Sequence, residues 1–87
     1  MKLYFEDRYS RLREIADVNT KEEVGKAIAD FLAQFNYKSY YTRSWITDSD
    51  DGKAYIKYDV GSHSEFFKLE FDSFEAAYNF HNSGQNN

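Results

Sequence analysis

The chain has 87 residues, 15 acidic against 11 basic, giving a formal net charge of −4, and it contains no cysteine. That length suits one domain whose core removes about 60–65% of the unfolded surface from water, and the lack of cysteine excludes a disulfide framework or a thiolate zinc site. An isoelectric point near 5.0 disfavours general binding to nucleic acid, where basic groups must displace counterions from phosphates.

Residues 2–6 alternate Leu3 and Phe5 with Lys2, Tyr4 and Glu6, the period of two of a strand. Glu6 and Asp7 so close to the start do not suit a secretory signal, and no apolar run approaches ~20 residues, so the expectation is a soluble, cytoplasmic protein without a membrane span. A polar turn over residues 7–10 leads to a second strand over residues 11–18. There, Leu12, Glu14, Ala16 and Val18 fall on one side and Arg11, Arg13, Ile15 and Asp17 on the other, so neither face is apolar and a helical turn is the alternative.

The strongest signal follows. Val24, Ala27, Ile28, Phe31, Leu32 and Phe35 recur at i, i+3, i+4, i+7, i+8 and i+11, which predicts an amphipathic helix over residues 20–35. Thr20 and Glu23 form a capping box at its start, and Asn36 is placed to end it in a left-handed conformation. Three strands are predicted next, over residues 38–47, 53–60 and 65–72, separated by the Asp48 to Gly52 turn and by Gly61-Ser-His-Ser64. Asp72 and Glu75 suggest a second capping box, opening a helix on which Phe74, Ala77, Tyr78 and His81 share a side and which ends near Asn82. The predicted fold is an α+β domain over residues 1–82 in the order ββαβββα. It has an antiparallel sheet of four to five strands, both helices on one face, and a flexible tail over residues 83–87.

Such a sheet leaves its other face open. Ile56, Tyr58, Val60, Phe67, Leu69, Phe71 and Ile46 are expected to point toward the helices, which sends Tyr41, Arg43, Trp45, Tyr55, Lys57, Phe66 and Lys68 outward. With 20% aromatic residues, more than so small a core easily hides, this mixture of rings and cations is the candidate binding surface. It fits the anchors of a protein interface, or a platform that stacks unpaired bases while cations hold phosphates. In a third account the rings and long charged stems simply cover one another across strands. The order from Thr20 onward resembles the double-stranded-RNA-binding fold in topology, but Ser73-Phe-Glu-Ala-Ala77 stands where that fold starts a lysine-rich helix, so the function is not carried over.

Other constellations are weaker. Asp48, Asp50 and Asp51 before Gly52 lack the alternating ligand spacing of a calcium loop and suit a solvated hairpin turn, with a minor claim as a binding surface. His63 and His81 stand in no metal-ligand spacing. Asp59, His63 and Glu65 form an acid–base grouping with no nucleophile or phosphate loop beside it, so no enzyme activity, cofactor or metal is expected. The acids of the first third are interleaved with Arg8, Arg11, Arg13, Lys21 and Lys26, too evenly for a mimic of DNA charge.

Asn36-Tyr-Lys-Ser-Tyr-Tyr-Thr-Arg-Ser-Trp45 and Tyr58-Asp-Val-Gly-Ser-His-Ser-Glu-Phe-Phe67 resemble small proteins of phages and prophages of Gram-positive bacteria, a group with no activity attached. The resemblance runs from the first strand through Phe67 and implies a setting rather than site residues. Small phage proteins without enzyme motifs often bind and block a host protein, CRISPR nucleases and restriction systems included. The reading is therefore a non-enzymatic phage-type accessory protein that binds a host or phage protein, with inhibition of a host defence nuclease as one form. The alternative is nucleotide or single-stranded nucleic-acid binding through the open face, and a second copy of the chain is a further candidate partner.

Overall fold

A computed structural model describes residues 1–35, 43–49, 51–62 and 64–83. It contains β1 (Lys2–Glu6), β2 (Leu12–Asp17), α1 (Lys21–Gln34), β3 (Arg43–Asp48), β4 (Ala54–Asp59), β5 (Phe66–Phe71) and α2 (Phe74–Asn82). The strands form one sheet in the order β2-β1-β5-β4-β3, every neighbouring pair antiparallel. The protein is thus an α+β fold whose first strand lies inside the sheet, clamped between β2 and β5.

Alternation along the strands divides the sheet as the residue pattern suggested. Leu3, Ala54, Ile56, Tyr58, Phe67, Leu69 and Phe71 are buried in the core, with Ile46 packed against it. From α1, Val24, Ile28, Phe31 and Leu32 join the same cluster, and Phe31 lies 4.8 Å from Phe5 and 5.6 Å from Phe67 between ring centroids. From α2, Ala77 is fully buried and the Phe80 ring lies 5.3 Å from Phe71. Residues 67 and 71 lie an even number of positions apart on β5, so rings from both helices reach the same side of that strand. Among the described residues, no helix is long and apolar enough to cross a membrane.

The second strand is present as expected, not the alternative helical turn, with bounds Leu12–Asp17 in place of residues 11–18, and its mixed faces have a cause in the β1–β2 register. Leu3 pairs with Ala16 but Tyr4 pairs with Glu14, so Ile15 is an extra residue in a bulge. The bulge resets the alternation, and Ile15 and Ala16 both pack against the core. At the start of α1, Thr20 Oγ1 accepts from the Glu23 N–H at 3.1 Å, while the Glu23 carboxylate accepts from the Asn19 N–H at 3.2 Å, one residue earlier than in a standard capping box. Asn36 lies outside the described residues, as do residues 37–42 of the long strand predicted from residue 38.

The second helix begins one residue later than expected. Ser73, not Asp72, is its N-cap, and its hydroxyl accepts from the Ala76 N–H at 3.1 Å. Its predicted apolar side is also rotated. Ala77 and Phe80 face the core, whereas Phe74 and Tyr78 remain 49% and 52% exposed, because the small Ala77 lets the helix sit close while Phe80 fills the space against Phe71. Ser83, assigned to the tail, belongs to the helix end: its N–H bonds to Phe80 O and its own carbonyl accepts from Lys21 Nζ at 2.5 Å. Residues 84–87 lie outside the described residues.

Candidate functional site

The face of the sheet opposite Ile56 and Phe67 carries the predicted surface, laid out in rows by the strand register. One row runs Trp45, Lys57, Lys68, Tyr4 and Glu14, and the next runs Arg43, Asp59, Phe66, Glu6 and Leu12. Thr47, Tyr55 and Glu70 start a third. Arg43, Trp45, Tyr55, Lys57, Phe66 and Lys68 are therefore brought together as the pattern indicated, while Tyr41 lies outside the described residues.

The rows interlock through charge and ring contacts. Glu6, only 8% exposed, places Oε1 3.3 Å from Lys57 Nζ and Oε2 3.0 Å from Lys68 Nζ. The ammonium of Lys57 also lies 4.2 Å from the centroid of Phe66, and that of Lys68 5.4 Å from Tyr55. Glu70 receives the hydroxyl of Tyr55 at 3.3 Å and of Tyr4 at 3.5 Å, and lies 3.5 Å from Lys53 Nζ. Burial first, and the Glu70 charge second, push both phenols above the ordinary tyrosine value. The same carboxylate raises the Lys53 ammonium.

At the edge of this network stands a cluster of a different character. Arg43 binds Asp59 through Nε at 3.2 Å and lies over the Trp45 ring at 5.2 Å, and Trp45 meets Phe66 edge-on at 6.4 Å. The Arg43 side chain is 73% exposed, so a rigid ring pair and an accessible guanidinium share one end of the face.

Sequence reasoning missed the organising residue, Glu6. Alternation in β1 had already placed it away from Leu3 and Phe5, but only the β1–β5 pairing carries it beneath two lysines. Strand order is a long-range property that no local pattern encodes.

The weaker constellations resolve into local structure. The Asp51 carboxylate takes hydrogen bonds from the Ser49 hydroxyl and from the Lys53 N–H at 3.1 Å, which lower its pKa and close the β3–β4 turn with Gly52 at φ +85°. Asp48 ends β3 as an exposed residue and Asp50 lies outside the described residues. Asp59 is occupied by Arg43 and by the Gly61 N–H at 2.9 Å, and His63 lies outside the described residues. Among the described residues, no three His, Cys, Asp or Glu side chains form a metal-binding group.

His81 lies 3.2 Å from the Ser44 hydroxyl, but among the described residues no carboxylate hydrogen bond orients its ring, so the pair joins α2 to β3 without the third member of a catalytic triad. The recess beside it, between Lys21, Gly25, Tyr58 and Phe80, measures about 140 Å³, well below the ~300 Å³ at which small-molecule sites usually begin.

The chain matches no protein-family model, and no curated protein or solved structure matches it significantly. What the fold and this face define is an α+β protein with a charged, ring-bearing sheet surface.

Proposed function

We propose that the protein is a non-enzymatic accessory protein that binds another protein through the outer face of its sheet, centred on Arg43, Trp45 and Phe66. The observation that carries this is the contrast between the two parts of the face. Lys57 and Lys68 share the single carboxylate of Glu6, and Lys53 pairs with Glu70, so two carboxylates offset all but one of these three charges and leave phosphates little counterion release. The Arg43–Trp45–Phe66 cluster, by contrast, brings residue types that anchor protein interfaces into mutual contact at one end of the face. The resemblance to phage proteins names the partner class: a protein of the bacterial host, with a defence nuclease as the form most worth testing.

Affinity capture from Gram-positive host cells, with the intact chain and with Trp45→Ala and Arg43→Ala variants, tests this reading. A host protein retained by the intact chain and lost with both variants supports it. Labelled single-stranded oligonucleotides titrated at two salt concentrations address the alternative. Tight, salt-sensitive binding that disappears in the same variants overturns the protein-binding reading in favour of a nucleic-acid platform.

A further inference from the structure

Charges on the outer face of the sheet are matched one to one, with a single exception. Lys2 stands 3.9 Å from Glu14, Lys53 3.5 Å from Glu70 and Arg43 3.2 Å from Asp59. Glu6 serves two cations, giving Oε1 to Lys57 and Oε2 to Lys68, and among the described residues no other carboxylate lies within ion-pair distance of either lysine. A unit of positive charge is therefore left over beside β5, the middle strand of the sheet, in a chain whose formal net charge is −4.

Stability does not account for this surplus. Lys57 and Lys68 are direct cross-strand partners in the β4–β5 register, and like charges so opposed cost a sheet stability. An uncharged residue at either position would leave Glu6 and the remaining lysine as a balanced pair. Local rules are broken in this way where a surface is used. Each ammonium carries three donors and Glu6 offers one oxygen to each, so both keep hydrogen-bonding capacity. The lysine side chains are 23% and 20% exposed, open to a group arriving from the water side yet screened less than free surface lysines.

The surroundings select the anion. Trp45 is the cross-strand partner of Lys57, and Phe66 lies 4.2 Å from the Lys57 ammonium, so two half-buried rings adjoin the surplus charge. The row holding both lysines lies between the row that carries Asp59 and the row that carries Glu70. A strand of phosphates crossing the pair would meet those carboxylates, whereas a lone carboxylate matches the surplus in sign and size. We infer that Lys57 and Lys68 together receive one aspartate or glutamate side chain of the protein partner, with an apolar neighbour of that residue lying on Trp45 and Phe66. This rests on the protein-binding reading and names what the partner must present.

Two short probes, acetyl-Phe-Glu-Phe-amide and acetyl-Phe-Gln-Phe-amide, test the charge match without the partner. Titrated into the intact chain and followed by NMR, the glutamate probe is expected to shift the Lys57 and Lys68 ε-methylenes and the Trp45 indole N–H. Its dissociation constant should be about 1–10 mM, at least about fivefold tighter than that of the glutamine probe. Lys57→Met and Lys68→Met each leave Glu6 with a single lysine, so the fold is kept and the preference for glutamate should vanish. Glu6→Gln, with its fold checked by circular dichroism, uncovers a second charge and should tighten the glutamate probe at least about threefold, a gain that a purely structural triad does not produce. Where that variant unfolds, the two methionine variants decide. Equal affinity for both probes, shifts confined to other residues, no shift at about 10 mM probe, or a preference that survives both methionine variants overturns the inference. So does a thymidine oligonucleotide that binds the same lysines more tightly than the glutamate probe and in a salt-dependent way, which assigns the pair to phosphates. Host capture lost with Trp45→Ala but kept with Lys57→Met and Lys68→Met removes this inference alone. Absence of any host partner removes the protein-binding reading, while the probe titration still reads the lysine pair.

Discussion

Glu6 and Lys68 meet at 3.0 Å on the outer face of the sheet, although 62 positions (68 − 6) separate them in the chain. Their contact depends on β1 lying beside β5, and Lys57 joins them from β4 at 3.3 Å. One carboxylate thus ties three strands. Its side chain is 11% exposed and the lysines 23% and 20%, so water screens the group only in part.

Glu6→Gln is accordingly expected to destabilise the fold by about 1.5–3 kcal/mol, since it leaves two half-buried ammonium groups facing each other without a counter-charge. Urea denaturation measures the loss. Combining Glu6→Gln with Lys57→Met and Lys68→Met should recover most of it, because the like-charge repulsion goes with the lysines. An unchanged midpoint in the single variant would show that solvent already screens the three groups.

The phenols around Glu70 set the alkaline behaviour. Tyr4 and Tyr55 are raised in the folded protein above the usual value of 10.0, by burial first and by the Glu70 charge second. A raised folded value means that the native state holds its proton while the unfolded chain loses it. Stability from these groups is therefore complete below pH 10.0 and is lost as pH climbs through the folded values. Thermal melts from pH 8 upward should show a decline beginning near pH 10, and the Tyr4→Phe, Tyr55→Phe double variant should flatten it. Phenolate absorbance gives a second readout, in which two tyrosines titrate late in the folded protein and normally in urea.

The division of the sheet into two faces was legible because period-two alternation is local: Ile56 and Tyr58, or Phe67 and Leu69, declare their side from neighbours alone. The same holds for the α1 stripe. Two features were not. Ile15 is a bulge residue, and its extra position sets two consecutive residues, Ile15 and Ala16, against the core, a pattern that strict alternation reads as no apolar side. Glu6 acquires its role from a strand at the far end of the chain. In α2, local pattern gave the wrong side, since Phe74 and Tyr78 sit at helical spacing with Ala77 but the packing that decides is between Phe80 and Phe71.

The glycines at 25 and 52 should respond oppositely to alanine. Gly25 lies inside α1 and an added Cβ there would meet nothing within 4 Å, so Gly25→Ala is expected to stabilise by about 0.5–1 kcal/mol through the unfolded chain and helix propensity. At Gly52 there is equal space, but φ is +85°, a conformation that L side chains disfavour. Gly52→Ala should destabilise by about 1–2 kcal/mol, loosening the β3–β4 turn. Chemical denaturation of the two variants side by side checks the signs, and equal shifts would mean that space rather than backbone conformation governs both sites.

The end of α2 is secured from another element. Lys21 Nζ, at the start of α1, donates to the carbonyls of His81 at 3.0 Å and Ser83 at 2.5 Å, supplying a positive charge where the helix dipole is negative. With 9 residues, α2 is too short to persist without tertiary support, so this contact and Ala77 must hold it against the sheet. Lys21→Met keeps the aliphatic stem and removes the donor. It is expected to cost about 0.5–1 kcal/mol globally. Local opening should change more: amide exchange in the last turn of α2 should accelerate while the β1 and β5 amides keep their rates. Uniform acceleration across the sheet would instead make Lys21 a support of the whole core, and no acceleration in α2 would leave His81 and its Ser44 contact as the tie that fixes this helix end.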